Sequence, residues 1–259
     1  MIARDTLKTD EQALDGKVAL ITGSTAGIGL AIARRCLMQG ASVLISGRSD
    51  ASVKAALQSL GHTDRVRGYA VDLESAEAPE QLLTWSAAQF GAIDILVNNA
   101  GIAERKTLWE MTTAEWDRVF AVNLRAAFFC ALAFAEQAKG AKRGGAILNI
   151  SSVAGQNGGA AAGLAYAASK AGMIGITRSL ARHCAPLGIR VNCIAPADIE
   201  TPMTESWPQE LRDRLIAMTP MGRFGDVDEV ATVAAFLISD AASYVTGQTL
   251  NVNGGLYMG

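Results

Sequence analysis

Short apolar runs alternate regularly with longer segments of helical periodicity along this chain, which limits the folds that it can adopt. The apolar runs are rich in Val, Ile and Leu and predict seven strands, at residues 18–22, 43–46, 69–72, 95–98, 146–150, 189–194 and 249–252. The segments between them predict helices at residues 28–39, 51–60, 79–90, 113–139, 164–185 and 226–238. Because strands that alternate with helices pair in parallel, we expect an α/β fold with a doubly wound, seven-stranded parallel sheet and helices on both faces.

The domain organisation follows from the continuity of this alternation. No Pro- or Ser-rich linker, internal repeat or low-complexity tract interrupts it, so we expect residues 16–259 to form a single domain. Residues 1–15 are polar, and we expect them to be a loosely held tail. Residues 203–221 combine Trp and Met with charged side chains, which suits a lid that closes over a substrate.

The composition excludes several classes of partner. Apolar residues make up 50% of the chain and charged residues 19%, and the 23 basic and 25 acidic side chains leave a net charge of −2. Neither sign dominates a long block, so we expect no nucleic-acid or polybasic membrane partner. The N-terminus has no apolar signal region and no run of about 18 apolar residues follows, so we expect a cytoplasmic protein that does not span a membrane.

The cysteines give no sign of a metal site. Four are scattered along the chain without a C-x-x-C pair: Cys36, Cys130, Cys184 and Cys193. Only two histidines, His62 and His183, could join them as ligands. We therefore expect buried thiols in a reducing compartment rather than metal ligands or disulfides.

A glycine-rich segment, T-G-S-T-A-G-I-G at residues 22–29, follows the first predicted strand and runs directly into a helical pattern. Its three glycines let the chain turn sharply and bring backbone N–H groups, at a helix N-terminus, against a pyrophosphate. The spacing is a variant of the usual dinucleotide fingerprint, and such a turn can also serve plain strand-to-helix packing. Its position between the first strand and the first helix favours a nucleotide-binding fold of the Rossmann type.

The end of the second predicted strand indicates which dinucleotide binds. The sequence S-G-R-S-D at residues 46–50 places Gly47 where an acidic residue would bind the ribose 2′-hydroxyl of NAD, and Arg48 follows it. A guanidinium can bind a 2′-phosphate through charge-assisted hydrogen bonds, whereas a carboxylate would repel it. The pattern favours NADP. The alternative is NAD, with Arg48 as a surface arginine and Asp50 on the ribose.

Further motifs follow in a fixed order along the chain. They are V-D-L at residues 71–73, N-N-A-G at 98–101, V-N-L at 122–124, I-S-S-V-A-G at 150–155, Y-A-A-S-K at 166–170, I-R-V-N-C-I-A-P at 189–196 and N-V-N-G-G at 251–255. With the glycine-rich segment, this ordered set resembles the short-chain dehydrogenase/reductase family over essentially the whole chain. The resemblance implies an oxidoreductase that transfers a hydride between a nicotinamide cofactor and a carbonyl or secondary alcohol. It also implies a homo-oligomer, in particular a tetramer, for which the Ala-, Gly- and Phe-rich segments 113–139 and 164–185 would supply interfaces or, alternatively, ordinary core.

The resemblance assigns roles to individual residues. The catalytic tetrad would be Asn123, Ser152, Tyr166 and Lys170. Cofactor contacts, including the Arg48 argued above, would come from Gly23, Ser24, Thr25, Gly27, Ile28, Gly29, Arg48, Asp72, Leu73, Asn99, Gly101, Tyr166, Lys170, Ile199 and Thr201. Asp72 and Leu73 would contact the adenine, and Ile199 and Thr201 the nicotinamide nucleotide. Ser152 would donate a hydrogen bond to the substrate oxygen, and Asn123 would hold a water that links Lys170 to solvent.

The spacing of Tyr166 and Lys170 also has a chemical reason. Residues four apart on a helix share one face, and the residues between these two are small. The ordinary pKa of tyrosine, about 10, makes it a poor acid or base near neutrality. An ammonium about 4 Å away, at an effective dielectric of about 20, would supply on the order of 4 kcal/mol, enough to lower that pKa by about three units. Burial opposes this shift, so we expect the lysine and an oxidised nicotinamide to act together; the alternative is an amphipathic surface pair.

Two departures from the family pattern affect these expectations. Pro196-Ala197 stands where the family usually has Pro-Gly, which would alter the approach to the nicotinamide if the position required a glycine-only conformation. The segment between Ser152 and Tyr166 is one residue longer than the commonest spacing in the family. Because this loop would border the substrate, the difference concerns substrate identity more than the chemistry.

The substrate is the least constrained part of the prediction. The tract M-G-R-F-G-D-V-D-E-V-A at residues 221–231 resembles bacterial 3-oxoacyl-acyl-carrier-protein reductases, and many sugar and polyol dehydrogenases share it. We therefore expect a 3-oxoacyl-thioester ketone reductase, with a sugar or polyol dehydrogenase as the alternative and a non-catalytic nucleotide-sensing protein as an alternative of another class. Trp207, Arg105 and Trp109 are the candidate specificity contacts.

Overall fold

The computed structural model describes residues 12–61, 63–104, 106–159 and 162–259. Seven parallel strands form one sheet in the order β3-β2-β1-β4-β5-β6-β7. They are β1 (Val18–Ile21), β2 (Ser42–Gly47), β3 (Val66–Ala70), β4 (Ile95–Asn98), β5 (Gly145–Ile150), β6 (Ile189–Pro196) and β7 (Thr249–Val252). The predicted α/β fold is confirmed, and the strand order reverses between β1 and β4, which opens a crevice at the carboxyl ends of these strands.

Helices cover both faces of the sheet. They are α1 (Gly27–Met38), α2 (Asp50–Ser59), α3 (Ala78–Phe90), α4 (Thr113–Phe120), α5 (Ala126–Ala141), α6 (Ala154–Asn157), α7 (Leu164–Cys184), α8 (Pro202–Glu205), α9 (Gln209–Met218) and α10 (Val227–Ile238). Successive strand residues point to opposite faces, so each strand serves two apolar clusters. Ile21 packs in the cluster that contains Ile32 of α1 and Val230 of α10, whereas Leu20 packs in the cluster that contains Phe134 of α5. Burial on both faces explains why the strands read as continuous apolar runs.

The predicted polar tail is shorter than expected at its described end. Leu14 is only 1% exposed, belongs to the same apolar cluster as α1, and donates its backbone N–H to the carbonyl of Gln39. The boundary at residue 15 is therefore wrong for Leu14, because one apolar side chain in a polar segment has a place in the core. Residues 1–11 lie outside the described part of the chain.

The segment predicted as one helix over 113–139 has three parts. The α4 helix ends at Phe120, a π-helical turn covers Ala121–Arg125, and α5 follows. By length and composition the run Thr113–Ala141 could cross a membrane, with a mean hydropathy of 1.6 in its most apolar window, 44% of which is buried. The expectation that the chain does not span a membrane stays a prediction; Cys130 and Phe134 of this run pack against the sheet. Core helices of this kind pass the same test.

All four cysteines are free and buried, as predicted. Burial raises the pKa of the Cys36 and Cys130 thiols to about 12. A thiol with such a pKa is protonated near neutral pH, and only the thiolate is nucleophilic. We therefore assign these two cysteines to packing. Of the two histidines considered as metal ligands, His62 lies outside the described residues.

Candidate active site

A cavity of about 880 Å³ opens at the carboxyl edge of the sheet. Residues at or just after the ends of five strands line it: Gly23, Ser46, Asn99, Ser151 and Pro196. This is where a parallel sheet with a reversal of strand order places its ligands. Of the residues predicted to contact a cofactor, all except Ser24 and Thr25 line this cavity.

The glycine-rich loop leaves the backbone open to an anion. Gly23 and Gly27 have φ angles of +60° and +54°, a conformation that side chains disfavour. A Cβ on Gly29 would lie 2.4 Å from Asn99 Nδ2 and 2.7 Å from the carbonyl oxygen of Gly23. The α1 helix begins after Ala26 with no side-chain cap and no acidic residue in its first turn. Its first N–H groups are thus free of any side-chain cap, and this arrangement fits the pyrophosphate of a dinucleotide.

The side chains of Ser24 and Thr25 make contacts within the protein. Ser24 is fully buried; its hydroxyl donates to the carbonyl of Ile21 at 2.6 Å and accepts from the N–H of Ser46 at 3.1 Å. It therefore ties the glycine loop to β2. The methyl group of Thr25 faces Gly47. Neither residue lines the cavity, and their cofactor contacts stay a prediction, because the sequence does not reveal which side of a tight loop faces the ligand.

Asn99 and Thr22 fix the loop after β4 against the glycine-rich loop. Asn99 Nδ2 donates to the carbonyl oxygens of Thr22 and Gly23, both at 2.9 Å. The Thr22 hydroxyl accepts from the N–H groups of Asn99 and Ala100, both at 3.0 Å. The N-N-A-G motif thus shapes the phosphate loop, in addition to lining the cavity as predicted.

The far end of the cavity has the features predicted for a 2′-phosphate. Arg48 is exposed and lines the cavity together with Asp72 and Leu73. A Cβ on Gly47 would lie 2.4 Å from the Thr25 methyl carbon, so a carboxylate side chain could not occupy this position without a shift. Asp50, the alternative ribose partner, lies in the first turn of α2 and is not among the cavity-lining residues described.

Tyr166 and Lys170 lie on one face of α7 and enter the cavity together with Ser152. Lys170 Nζ lies 5.6 Å from the centre of the Tyr166 ring and donates to the carbonyl of Ile150 at 2.7 Å. Ser152 Oγ accepts from the N–H of Ala154 at 3.1 Å, and its side chain also hydrogen-bonds to the Tyr166 hydroxyl. The cavity therefore contains a phenol, a hydroxyl and an amine.

Burial shifts the pKa values of both Tyr166 and Lys170. Burial raises the pKa of Tyr166, while the hydrogen bond with Ser152 opposes this increase. Burial also lowers the pKa of Lys170 from 10.5 to about 8. The expected lowering of the Tyr166 pKa required Lys170 and an oxidised nicotinamide to act together, so it stays a prediction for the cofactor-bound protein; without the cofactor, burial raises this pKa.

Asn123 lies beside the cavity rather than in its wall. It occupies the π-helical turn, is fully buried, and accepts from the N–H of Ile102 at 2.8 Å. Its amide nitrogen donates to the Ile102 carbonyl at 2.9 Å and to Ser169 Oγ at 3.0 Å. A Cβ on Gly101 would lie 3.4 Å from both Asn123 Oδ1 and Lys170 Nζ, so the glycine keeps the space between these two groups open. π-Helical turns often occur at functional sites, and this one aims Asn123 at that space.

The substrate end of the cavity consists mainly of apolar side chains from the predicted lid, which forms α8 and α9. Met203, Trp207, Leu215 and Met218 line it. Trp207 packs edge-on against Phe224, with the ring centres 6.1 Å apart. Ile199 and Thr201 also line the cavity, as expected for the nicotinamide side.

Trp109 and Arg105 are the other two predicted specificity contacts. Trp109 is 90% exposed and does not line the cavity, so that prediction is wrong; a tryptophan in a loop gives no signal of where it points. Arg105 lies outside the described residues.

Ala197 has no positive φ, so this position requires no glycine-only conformation. The longer loop after Ser152 forms α6, and its described part contributes Asn157 to the cavity wall.

Asp198 is among the cavity residues that the sequence did not predict. Asp198 lines the cavity and is close enough to Tyr166 for its charge to raise the tyrosine pKa. The only signal was an acidic residue directly after the Pro196-Ala197 pair, at the end of a buried strand. Polar residues at that end of parallel strands are candidates for ligand contacts.

The Lys170 pKa gives a testable dependence of stability on pH. Between about pH 8 and pH 10.5 the unfolded chain binds more protons at Lys170 than the folded chain, so this group favours folding more as pH rises. We expect the free energy of unfolding, relative to that of Lys170→Met, to rise by up to about 3 kcal/mol over this window. Urea unfolding of both proteins at pH 8 and at pH 10 measures this. A difference that does not change with pH would contradict the lowered pKa.

Comparisons with known proteins agree with the fold and the site. The profile of a family described as enoyl-(acyl carrier protein) reductase matches residues 23–257. The 3-oxoacyl-(acyl-carrier-protein) reductase FabG of Vibrio cholerae is 43% identical over 245 residues, 95% of this chain and 99% of that protein. The protein of the same name from Escherichia coli is 42% identical over 246 residues, 94% of this chain and 98% of that protein.

A solved structure from Brucella melitensis, described as a short-chain dehydrogenase/reductase and a glucose/ribitol dehydrogenase, has a TM-score of 0.87 and 35% identity. The match covers 96% of this chain and 100% of that chain. Sequence similarity over nearly the whole chain, the sheet order and the cavity agree with the ordered motifs. The chain belongs to the short-chain dehydrogenase/reductase family of oxidoreductases.

Proposed function

We propose that this oxidoreductase uses NADPH to reduce the ketone of 3-oxoacyl thioesters. The observation that carries the proposal is the meeting of the phosphate-binding loop with Ser152, Tyr166 and Lys170 in one cavity. The names of the Vibrio cholerae and Escherichia coli relatives support the choice of substrate. The hydrophobic end of the cavity, with Met203 and Leu215 among its lining residues, supports an acyl chain as part of that substrate.

Each polar residue of the site has a separate role in carbonyl reduction. When bound, the reduced nicotinamide supplies the hydride. Ser152 donates a hydrogen bond to the substrate oxygen as negative charge develops there, and Tyr166 gives that oxygen its proton. Lys170 has three N–H donors, of which one is held by the Ile150 carbonyl, and its charge stabilises the phenolate left on Tyr166. Asn123 supports a path from Lys170 to solvent through the space above Gly101.

The cofactor preference is tested by Arg48→Ala. We expect NADPH to bind about 10- to 100-fold more weakly, because a charge-assisted bond to the 2′-phosphate is lost, while NADH binding stays within about twofold. Fluorescence titration of both cofactors measures this. The matched control is Asp50→Asn, for which we expect no change with either cofactor. Equal losses of both cofactors in Arg48→Ala, or a selective loss of NADH in Asp50→Asn, would contradict NADP as the preferred cofactor.

The substrate class is tested by a panel of a 3-oxoacyl thioester, a ketose and the corresponding polyol, each with NADPH and NADH. We expect the highest kcat/KM for the thioester, read as loss of the absorbance of reduced nicotinamide. Higher kcat/KM for the sugar or polyol would favour the alternative, which the description of the Brucella melitensis structure supports. Cofactor binding without turnover of any substrate would favour a nucleotide-sensing protein.

We also propose a cytoplasmic homotetramer. Large apolar side chains remain exposed on α4 and α5: Trp116 (39%), Phe128 (37%), Phe129 (45%) and Leu132 (39%). A second exposed set, Phe236 of α10 and Leu250 of β7, lies at another edge of the molecule. Two separate apolar surfaces suit the two interfaces that a tetramer with dihedral symmetry requires. Light scattering measures the mass in solution.

A further inference from the structure

The backbone that carries Asp198 is held in a fixed position beside the reacting groups. Its carbonyl accepts from the N–H of Gly225 at 3.0 Å, and the N–H of Glu200 donates to the Gly225 carbonyl at 2.9 Å. These bonds form an isolated parallel bridge between Ile199 and Gly225. The half-buried side chain of Asp198 lies where the main cavity meets a smaller one of about 290 Å³.

No ion pair of the described residues neutralises the Asp198 carboxylate. The two arginines on neighbouring segments are taken by other acids: Arg212 pairs with Glu200 at 2.6 Å and Arg223 with Glu229 at 2.6 Å. Lys170 donates to the Ile150 carbonyl. The influences on the Lys170 pKa are its burial and Cys193, so Asp198 makes no resolved contribution to it.

The apolar surroundings of Asp198 strengthen the electrostatic effect of its carboxylate on groups across the cavity. Trp207, Leu215 and Leu256 line the same cavity and reduce the local dielectric. Asp198 and Tyr166 line the same cavity, and the negative charge of Asp198 contributes to raising the Tyr166 pKa. A second negative charge brought there by a substrate would be repelled.

We propose that Asp198 is a specificity-determining residue that admits neutral carbonyl substrates and rejects those with a carboxylate two carbons from the reacting ketone. A 3-oxoacyl thioester or ester has a neutral group at this place, whereas the free 3-oxo acid has a negative charge two carbons from the carbonyl. The inference rests on the proposed function. It adds that the site discriminates by charge between the activated and the free acid.

The experiment compares a matched pair of substrates, ethyl acetoacetate and acetoacetate, with saturating NADPH at pH 8. We expect the wild-type protein to have the higher kcat/KM for the neutral ester. In Asp198→Asn, which removes the charge and keeps the shape, we expect the ratio of the two kcat/KM values to fall about tenfold. In Glu205→Gln, which removes a charge from the exposed end of α8 outside the cavity lining, we expect the ratio to stay unchanged.

Each outcome separates the inference from the proposed function. A ratio unchanged in Asp198→Asn overturns the role of Asp198, and so does an equal fall in Glu205→Gln. No reduction of ethyl acetoacetate, acetoacetate or a 3-oxoacyl thioester by the wild-type protein overturns the proposed function and the inference with it. Because both substrates are measured on one sample, a partly unfolded variant gives the same ratio. Asp198→Ser is a second neutral variant, and we expect its ratio to fall in the same direction.

Discussion

Replacement of Tyr166 by Phe is expected to lower kcat by about 10²- to 10⁴-fold and to leave NADPH affinity within about twofold of the wild-type value. The substitution removes only the hydroxyl, which is the proposed proton donor, and keeps the ring that lies 5.6 Å from Lys170 Nζ. The hydrogen-bonded network of Asn123 and Ser169 involves only the Tyr166 backbone, so it stays intact. Steady-state kinetics and a fluorescence titration of NADPH measure the two effects separately.

The matched control for this variant is Tyr244→Phe. Tyr244 is fully exposed and lies outside the cavity lining, so loss of its hydroxyl should leave kcat unchanged. Turnover by Tyr166→Phe at a rate close to that of the wild-type protein would remove Tyr166 as the proton donor.

The second large effect is expected for Gly29→Ala, in which a single methyl group should prevent cofactor binding. The added Cβ would lie 2.4 Å from Asn99 Nδ2, 2.7 Å from the Gly23 carbonyl and 2.9 Å from Ser24 Cα, so the loop must shift. A shift breaks the bonds that Asn99 makes to the loop and turns the first N–H groups of α1 away from the pyrophosphate. We expect NADPH to bind at least about 100-fold more weakly, with a loss of about 1–3 kcal/mol in the free energy of unfolding. Titration and urea unfolding measure the two losses.

Gly140→Ala is the control for the added methyl group itself. Gly140 lies in the last turn of α5, and a Cβ there would have no described atom within 4 Å apart from those of its own helical turn. Alanine favours a helix over glycine by about 1 kcal/mol, so this variant should be at least as stable as the wild-type protein and bind NADPH equally well. Unimpaired NADPH binding by Gly29→Ala would show that the loop does not hold the phosphates.

The elements that the sequence predicted well are those with a strong local signal. Buried parallel strands are short and apolar, so all seven were found, with bounds that differ by at most three residues. The glycine loop and the Tyr166-Lys170 pair were recognisable because their spacing suits a helix start and one helix face, and because they occur in order with the other motifs of the family. Their convergence in one cavity then follows from the parallel topology.

The features that the sequence did not reveal depend on tertiary environment. The π-helical turn at Ala121–Arg125 has no sequence signature of its own, yet it orients Asn123. The direction of the Tyr166 pKa shift depends on the balance between burial and charge, which requires coordinates. Ser24 and Trp109 were assigned to the site by motif or residue type, but their side chains point elsewhere. Asp198 was overlooked because one acidic residue after a strand is a weak signal.

Hydride transfer from NADPH to the ketone of a 3-oxoacyl thioester can be tested by following the transferred hydrogen. NADPH with deuterium at both positions of nicotinamide C4 would be mixed with excess protein and a short 3-oxoacyl thioester, and the product analysed by mass spectrometry and NMR. We expect a 3-hydroxyacyl product with one deuterium on the carbinol carbon from the wild-type protein, and little or no product from Tyr166→Phe within the same time. A bound, unoxidised cofactor and an unchanged thioester with the wild-type protein would contradict this transfer.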